Sequence, residues 1–320
     1  MIEKQLILLF MKLYNIVETF VKLLYKYKIC YIMDKCVLDN YFMEKKIGSG
    51  SFGDVYLTID KNTKERHAAK VEERKKNSRL YDEFKIYKQI HRKKFLDGVP
   101  RIHNFVQTPK FNILVMELLG EDLEKIFNSK NKKFSMETVL LLGVNIVTLL
   151  EQLHSSGYIH RDIKPNNFMV GYDDKSKIYI MDLGLSKKYI SSGKHIPFNT
   201  DKSLTGTARY TSINVHMGIE PSRRDDMESV GYMLIYFLKG KLPWQGLKKQ
   251  KGTSNIENIG DVKLCTPLNK LCKDLPECFK KYLSYCRELK YESKPDYNYL
   301  RNLFIETGKK LKINLKYEWC

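Results

Sequence analysis

The sequence predicts an α+β fold in two lobes, a small β-rich one followed by a larger helical one. Three observations carry this. Short runs rich in β-branched and aromatic residues come first, longer runs with helical spacing follow, and the stretch Glu117 to Gly120 stands where one pattern gives way to the other. At 320 residues and 43% hydrophobic content, the chain can bury a core large enough for such an arrangement.

The small lobe is expected over about 41–118. Strand-like runs at Tyr41 to Ile47, Val55 to Ile59 and His67 to Val71 flank turns, a helix is predicted over Leu80 to His91, and two more strands end in Ile113 to Leu118. The helical lobe is expected over about 120–313, with helices at Met136 to His154, Asp225 to Leu238 and Pro276 to Leu289, and a hinge at Glu117 to Gly120.

Residues 1–33 read as an extension foreign to this pattern. Lys12, Asn15, Glu18, Thr19, Lys22 and Lys26 recur at helical spacing and paint one polar stripe on an otherwise apolar segment. Charges at Lys12, Glu18 and Lys22 break any run long enough to span a membrane, and no small-residue cleavage site marks a secretory signal. Two readings stay open: an amphipathic helix lying on a membrane or partner, or an untranslated stretch ahead of a start at Met33. In the second, a chain beginning at Met33 keeps full activity.

The 56 Lys and Arg against 37 Asp and Glu give +19; five Lys and two Glu of the extension account for +3 of it, leaving +16 to residues 34–320. Such a charge calls for an anionic partner: nucleic acid, a membrane surface, a nucleotide, or an acidic or phosphorylated protein. The seven cysteines form no CxxC pair and no Cys/His ligand spacing, so neither a disulfide nor a structural zinc is expected. Cys265, Cys272, Cys278 and Cys286 fall near helical repeats and read as buried apolar residues.

The chemistry sits in five places. Ile47 precedes Gly48-Ser49-Gly50-Ser51-Phe52-Gly53, with Val55 behind it, between two strand-like runs. Glycines there allow backbone N–H groups to approach phosphate oxygens, and a following strand, where a dinucleotide fold would need a helix, separates the two readings of GxGxxG. Lys70 ends a strand-like run; thirteen residues later Glu83 lies on the inward face that Leu80, Phe84, Tyr87 and Ile90 define, and an inward carboxylate needs a cation such as Lys70. His160-Arg161-Asp162-Ile163-Lys164-Pro165-Asn166-Asn167 keeps the full HRDxxxxN spacing, and Asp182-Leu183-Gly184 follows twenty residues after Asp162. The fifth is Leu204 to Asn214, ending Ser212-Ile213-Asn214, followed by Gly218 to Asp226, Leu242 to Leu247 and Lys294 to Tyr297.

These motifs together resemble a protein serine/threonine kinase, and Ser-Ile-Asn in place of Ala-Pro-Glu, with the segments just named, resembles the casein kinase 1 family over about Val37 to Trp319. The resemblance implies a bilobal kinase fold, ATP and Mg²⁺ as cofactors, and a monomer without the long inhibitory tail of some relatives. It implies Asp162 as the acceptor of the substrate hydroxyl proton, Lys164 as the neutraliser of the migrating phosphoryl, and Asn167 and Asp182 as metal ligands. His160 reads as a packing residue. Lys70, with Glu83, would hold the α- and β-phosphates; Met116 matches the gatekeeper, Glu117 to Leu119 the adenine-binding hinge, and Asp122 the ribose contact, with Lys125 where an acid is common. Leu183 replaces the usual Phe and keeps an apolar plug.

The resemblance further implies activity without activation-loop phosphorylation, and acceptors placed three residues after a phosphoserine, phosphothreonine or acidic residue. Arg161, Lys187 and Lys202 match a basic, anion-binding cluster and are read as unpaired cations around a shared space; the alternative is three solvated surface cations. A second anion site keeps Arg209, but Gly252 and Asn255 stand where its lysines belong, with Lys248, Lys249 and Lys251 arriving earlier. An intracellular location is expected, cytoplasmic or also nuclear, with acidic or phosphorylated proteins as partners, no specific nucleic acid and no transmembrane span. A catalytically dead scaffold would lack one of Lys70, Asp162, Asn167 and Asp182, and all four are present. A nucleic-acid binder would show a recognisable module, and another kinase branch would not carry Ser-Ile-Asn.

Overall fold

A computed structural model describes residues 40–50, 53–75, 78–92, 96–247 and 254–320. The extension with Met33, the cysteines 30 and 36, Ser51 and Phe52 of the glycine loop, and Lys248, Lys249, Lys251 and Gly252 lie outside the described residues. The described residues divide into two compact bodies, 40–78 with 103–117, and 79–102 with 118–320.

The first body is a five-stranded sheet in the order β1-β2-β3-β5-β4, formed by β1 (Tyr41–Gly50), β2 (Gly53–Asp60), β3 (Arg66–Glu73), β4 (Ile102–Gln107) and β5 (Phe111–Glu117). The pairs β1/β2, β2/β3 and β3/β5 are antiparallel. Alternate residues Ala69, Val71, Ile113 and Val115 bury one face, against which Tyr41, Met43, Tyr56, Val106 and Phe111 pack. The predicted strands are all present; the first three are longer by one to three residues at one or both ends, where polar residues such as Glu72 and Glu73 continue the ladder, and β5 starts two residues earlier and stops at Glu117, one short of the predicted Leu118.

The second body contains α1 (Leu80–Ile90), β6 (Leu119–Asp122), α2 (Leu123–Ser129), α3 (Met136–Ser155), β7 (Tyr158–Ile159), β8 (Phe168–Gly171), β9 (Ile178–Ile180), β10 (Lys187–Lys188), β11 (Ile190–Ser191), β12 (Lys194–His195), α4 (Ile213–His216), α5 (Arg223–Lys239), α6 (Asn255–Cys265), α7 (Leu268–Leu271), α8 (Glu277–Glu288) and α9 (Tyr297–Leu311). Helix α1 groups here because it packs on the turn at Leu183–Leu185. At the centre, α3 packs against α9 and α5, and α5 against α8. Helix α3 is long and apolar enough to cross a membrane, yet 56% of that stretch is buried, as a core helix requires.

Helix α5 is buried on nearly every side, from Met227 through Leu238, and carries Asp225, Asp226 and Glu228 inside with it. It starts two residues before the predicted Asp225 because Asp225 is the N3 residue of a capping box with Ser222, and it stops at Gly240. The C-terminal residues close the other end of α3: the Glu318 carboxylate accepts from Ser135 N at 2.7 Å and the Asn145 amide donates to Tyr317 at 2.5 Å. Of the cysteines read as buried, Cys272, Cys278 and Cys286 are, whereas Cys265 is exposed, because the last turn of α6 turns Lys263 inward and Leu264 and Cys265 outward; all five described cysteines are free.

Candidate active site

A buried aspartate organises the loop that follows β7. Asp226, 2% exposed on α5, accepts from His160 N at 2.7 Å and His154 Nε2 at 2.9 Å on one oxygen, and from Arg161 N at 2.8 Å on the other. Burial alone would push this carboxyl up, but the His154 and backbone donors outweigh it and hold it below its ordinary value. Arg161 adopts the left-handed conformation, φ 68°, which a non-glycine residue holds only where its surroundings impose it. His160 is fully buried; its Nδ1 accepts from Asp162 N at 3.2 Å and its Nε2 donates to Met181 O at 2.9 Å, so both ring nitrogens are occupied in packing the loop.

The next residue presents the carboxylate that the motif assigns to the acceptor hydroxyl. Asp162 Oδ1 accepts from Thr207 N at 2.9 Å and Thr207 Oγ1 at 2.7 Å, while Oδ2 lies 2.6 Å from Lys164 Nζ. Burial opposes ionisation here too, and the Lys164 ammonium and Thr207 hydroxyl overcome it, holding the carboxyl below its usual range. A carboxylate so fixed can orient a hydroxyl and accept its proton once the oxygen becomes acidic in transfer. Thr207 reaches it because Gly206, at φ 94°, passes against the loop: a Cβ there would meet Arg161 O at 2.3 Å.

Asn167 closes the turn at Pro165–Asn167, donating from Nδ2 to Asp162 O at 2.7 Å and to Asp162 Oδ2 at 3.3 Å, which leaves its amide oxygen as an acceptor for a cation. Met181 N donates to Asn167 O at 2.8 Å, bringing Asp182 beside it, again at positive φ, 58°. One carboxylate and one amide oxygen suit a magnesium ion that draws further ligands from phosphate and water, and no cluster of three or more His, Cys, Asp or Glu suited to a metal occurs among the described residues. Leu183 is fully buried, as an apolar plug should be. Glu83, 2% exposed, does face inward on α1; beside it Tyr87 is fully buried, its phenol pushed well up by burial and then by the charges of Glu83 and Asp182.

In the first body, Gly48 pairs with Val55, Val55 with Lys70, and Lys70 with Leu114 across four strands, so these residues form one row on one face of the sheet. Gly53 stands at φ 141°, and a Cβ there would lie 2.0 Å from Val71 O; this glycine is demanded by the close approach of β2 to β3. Ile47, Ser49 and Gly50 continue β1, and Met116 and Glu117 end β5. In the second body, Leu119 is buried in β6, and Asp122 Oδ1 caps α2 through Lys125 N at 3.0 Å and receives Asn166 Nδ2 at 3.4 Å.

The basic cluster differs from its expectation. Glu220, 5% exposed, lies among the cations: Lys187 Nζ is 2.8 Å from Oε1 and Lys202 Nζ 3.8 Å from Oε2. Arg161 Nε donates to Leu185 O at 2.7 Å; burial lowers its pKa, with Glu220 and Asp226 opposing. The three cations therefore surround a carboxylate and are not unpaired, since a buried Glu220 needs them as much as they need it. Arg209 makes different contacts, stacking over Tyr210 and Tyr236 at 5.7 and 5.6 Å and feeling Glu124.

Thr207, Asp226 and Glu220 are the residues sequence reasoning passes over. Each lies within a segment it singles out, but Thr and acidic residues read as surface until the partner they face is known. The family model for the protein kinase domain matches residues 41–297.

Proposed function

The chain belongs to the protein kinase family, transferring a phosphoryl group to proteins, and from that premise we propose a serine/threonine kinase of casein kinase 1 type that uses Mg-ATP and favours acidic or already phosphorylated acceptors. The observation that supports the acceptor class is the Lys164 ammonium on Asp162 with the Thr207 hydroxyl opposite. A lysine two residues after this aspartate and followed by proline, as Lys164-Pro165 is, goes with Ser and Thr acceptors in the kinases the motif resembles. Asp162 orients the acceptor hydroxyl and takes its proton, and Lys164 offsets charge on the transferred group. Asn167 and Asp182 would hold Mg²⁺, which neutralises charge between the phosphates when bound. Lys70 and the Gly48–Gly53 backbone are assigned to ATP. An intracellular site of action, cytoplasmic or also nuclear, and a monomeric state belong to the same proposal.

Arg161, Lys187 and Lys202 are assigned to the phosphate of a primed acceptor. Three cations face one carboxylate, so a dianion still finds a positive site, although it must draw Lys187 and Lys202 from Glu220. The test is phosphorylation of matched peptides with phosphoserine or Ala three residues before Ser, Thr or Tyr. Primed Ser and Thr peptides are expected to win in kcat/KM, less so at high salt and in Lys187→Ala or Lys202→Ala variants. Equal rates on primed and unprimed peptides remove the substrate preference, and tyrosine phosphorylation removes the acceptor class. Asp182→Asn is expected to cost about 10²-fold or more in turnover with the fold intact.

A further inference from the structure

Lys263 has no part in the mechanism above, yet it is one of the largest fully buried side chains in the protein. It projects from α6, and its Nζ donates to Ala208 O at 2.9 Å and Thr211 O at 2.5 Å and lies 3.1 Å from His216 Nε2. The rings of Tyr232 and Trp244 flank it, centroids 5.0 and 5.1 Å from Nζ. Hydrogen-bond contact with a carboxylate is absent from its described partners. Burial pushes its pKa down to about 7, Glu228 opposing and Arg287 adding. A buried amine held by neutral acceptors is poor use of a lysine for stability alone, because desolvation costs more than such contacts return.

What it holds is specific. Trp244 Nε1 donates to Arg209 O at 2.7 Å, so Lys263 and Trp244 together take the carbonyls of residues 208, 209 and 211. The turn closes on Thr207, whose carbonyl accepts from Tyr210 N at 2.9 Å, Thr211 N at 3.1 Å and the Thr211 hydroxyl at 2.9 Å. Thr207 in turn gives its N–H and its hydroxyl to Asp162 Oδ1. A continuous set of hydrogen bonds thus runs from Lys263 through the 207–211 turn to the catalytic carboxylate.

We propose that Lys263 is a positioning residue for phosphoryl transfer, which pins the 207–211 turn so that Thr207 holds Asp162 in the orientation that meets the acceptor hydroxyl. The ammonium donates to two carbonyls, Ala208 O and Thr211 O, with His216 Nε2, itself 3.2 Å from Ala208 O, packed beside it, and the aromatic pair keeps water from competing for them. His216 stays neutral, its pKa pushed down to about 4 by burial and then by the Lys263 charge, with its contact to Ala208 O opposing.

The test is a double-mutant cycle on acceptor-peptide phosphorylation, at temperatures well below the melting point of each variant. Lys263→Met keeps the apolar stem and loses the donors; Thr207→Val keeps the shape and loses the hydroxyl. Lys263→Met is expected to lower kcat/KM for the peptide roughly 10- to 100-fold, with KM for ATP unchanged. The double variant should be hardly worse than Thr207→Val alone, since one pathway is then already broken. Lys263→Gln, which restores two N–H donors, should recover part of the loss, and it carries the same cycle if Lys263→Met does not fold. Losses that multiply in the cycle, or variants that melt earlier but phosphorylate at the normal rate, overturn the assignment and leave Lys263 a structural residue.

Discussion

Two neighbouring aspartates on α5 face different regions and behave in opposite ways. Asp225 and Asp226 are both buried, at 4% and 2% exposure, so desolvation presses on each alike. Asp226 looks toward the loop of Asp162 and meets three N–H donors, two of them backbone, and its carboxyl is held low. Asp225 looks toward the end of the 204–214 segment, accepts from Ser212 Oγ at 2.6 Å and Ser222 N at 2.8 Å, and is pushed up to about 6 by burial, with the Glu228 charge adding. Burial does not decide the outcome. The number and fixity of donors does, and the candidate active site has the rigid ones.

Replacing Asp226 should do the most damage. Asn has one acceptor oxygen where three N–H groups converge, so its amide must point a donor at a donor. Asp226→Asn is expected to cost about 3 kcal/mol or more in stability and to abolish most activity even where the protein stays folded, because His160 and Arg161 lose their anchor. Urea unfolding with a parallel peptide assay checks both. A variant that melts normally would mean that the loop is held by its own turn and not by α5.

An intermediate effect is expected on the other side. Ser212 gives its hydroxyl hydrogen to Asp225 and accepts from Val215 N at 3.2 Å, so it caps α4 while holding the aspartate. Ser212→Ala should cost about 1–2 kcal/mol and weaken acceptor binding more than ATP binding, since the 207–216 segment carries the change. Parallel KM measurements for peptide and ATP separate the two.

How much of this was open to sequence reasoning follows the same division. The strands, the long helices α3 and α5 and the motif residues are legible because apolar periodicity and fixed spacings are local properties. Asp162, Asn167 and Asp182 do gather around one loop, through Met181 N and Asn167 Nδ2. The partners that set their state are not local: Thr207 lies 45 residues from Asp162, and Asp226 lies 66 from His160. Glu220 turns a supposed trio of free cations into a charge network, and nothing in its own segment marks it as buried. Helix α6 is the plainest gap. Its apolar Ile256 and Leu264 are exposed while Asn258 and Lys263 are buried, so its pattern points the wrong way, and Lys263 gives no sign of burial until Ala208, Thr211 and the rings of Tyr232 and Trp244 close over it. Cys265, two residues on, errs the other way and is exposed.

The smallest expected effect is the sharpest test of the comparison. A hydroxyl can turn where a backbone N–H cannot, so an amide at position 225 can accept from Ser222 N and donate to Ser212 Oγ. Asp225→Asn should therefore change stability by less than about 1 kcal/mol below pH 4, where the wild-type carboxyl keeps its proton and bonds as the amide does, and its signature lies in pH dependence. The folded carboxyl titrates at about 6, above the ordinary 3.8, so between those values the folded protein binds a proton that the unfolded chain has released. The stability that Asp225 supplies is complete below pH 4 and is lost as pH rises through 6. The difference in unfolding free energy, wild type minus Asp225→Asn, should accordingly fall between pH 4 and pH 6 and stay flat above. Taking the difference cancels the other carboxylates, Asp226 among them, whose own contribution runs in the opposite direction and weakens as pH drops. A difference that rises with pH over this window would mean that Asp225 is as well anchored as Asp226, and that the two regions do not differ in the way their donors imply.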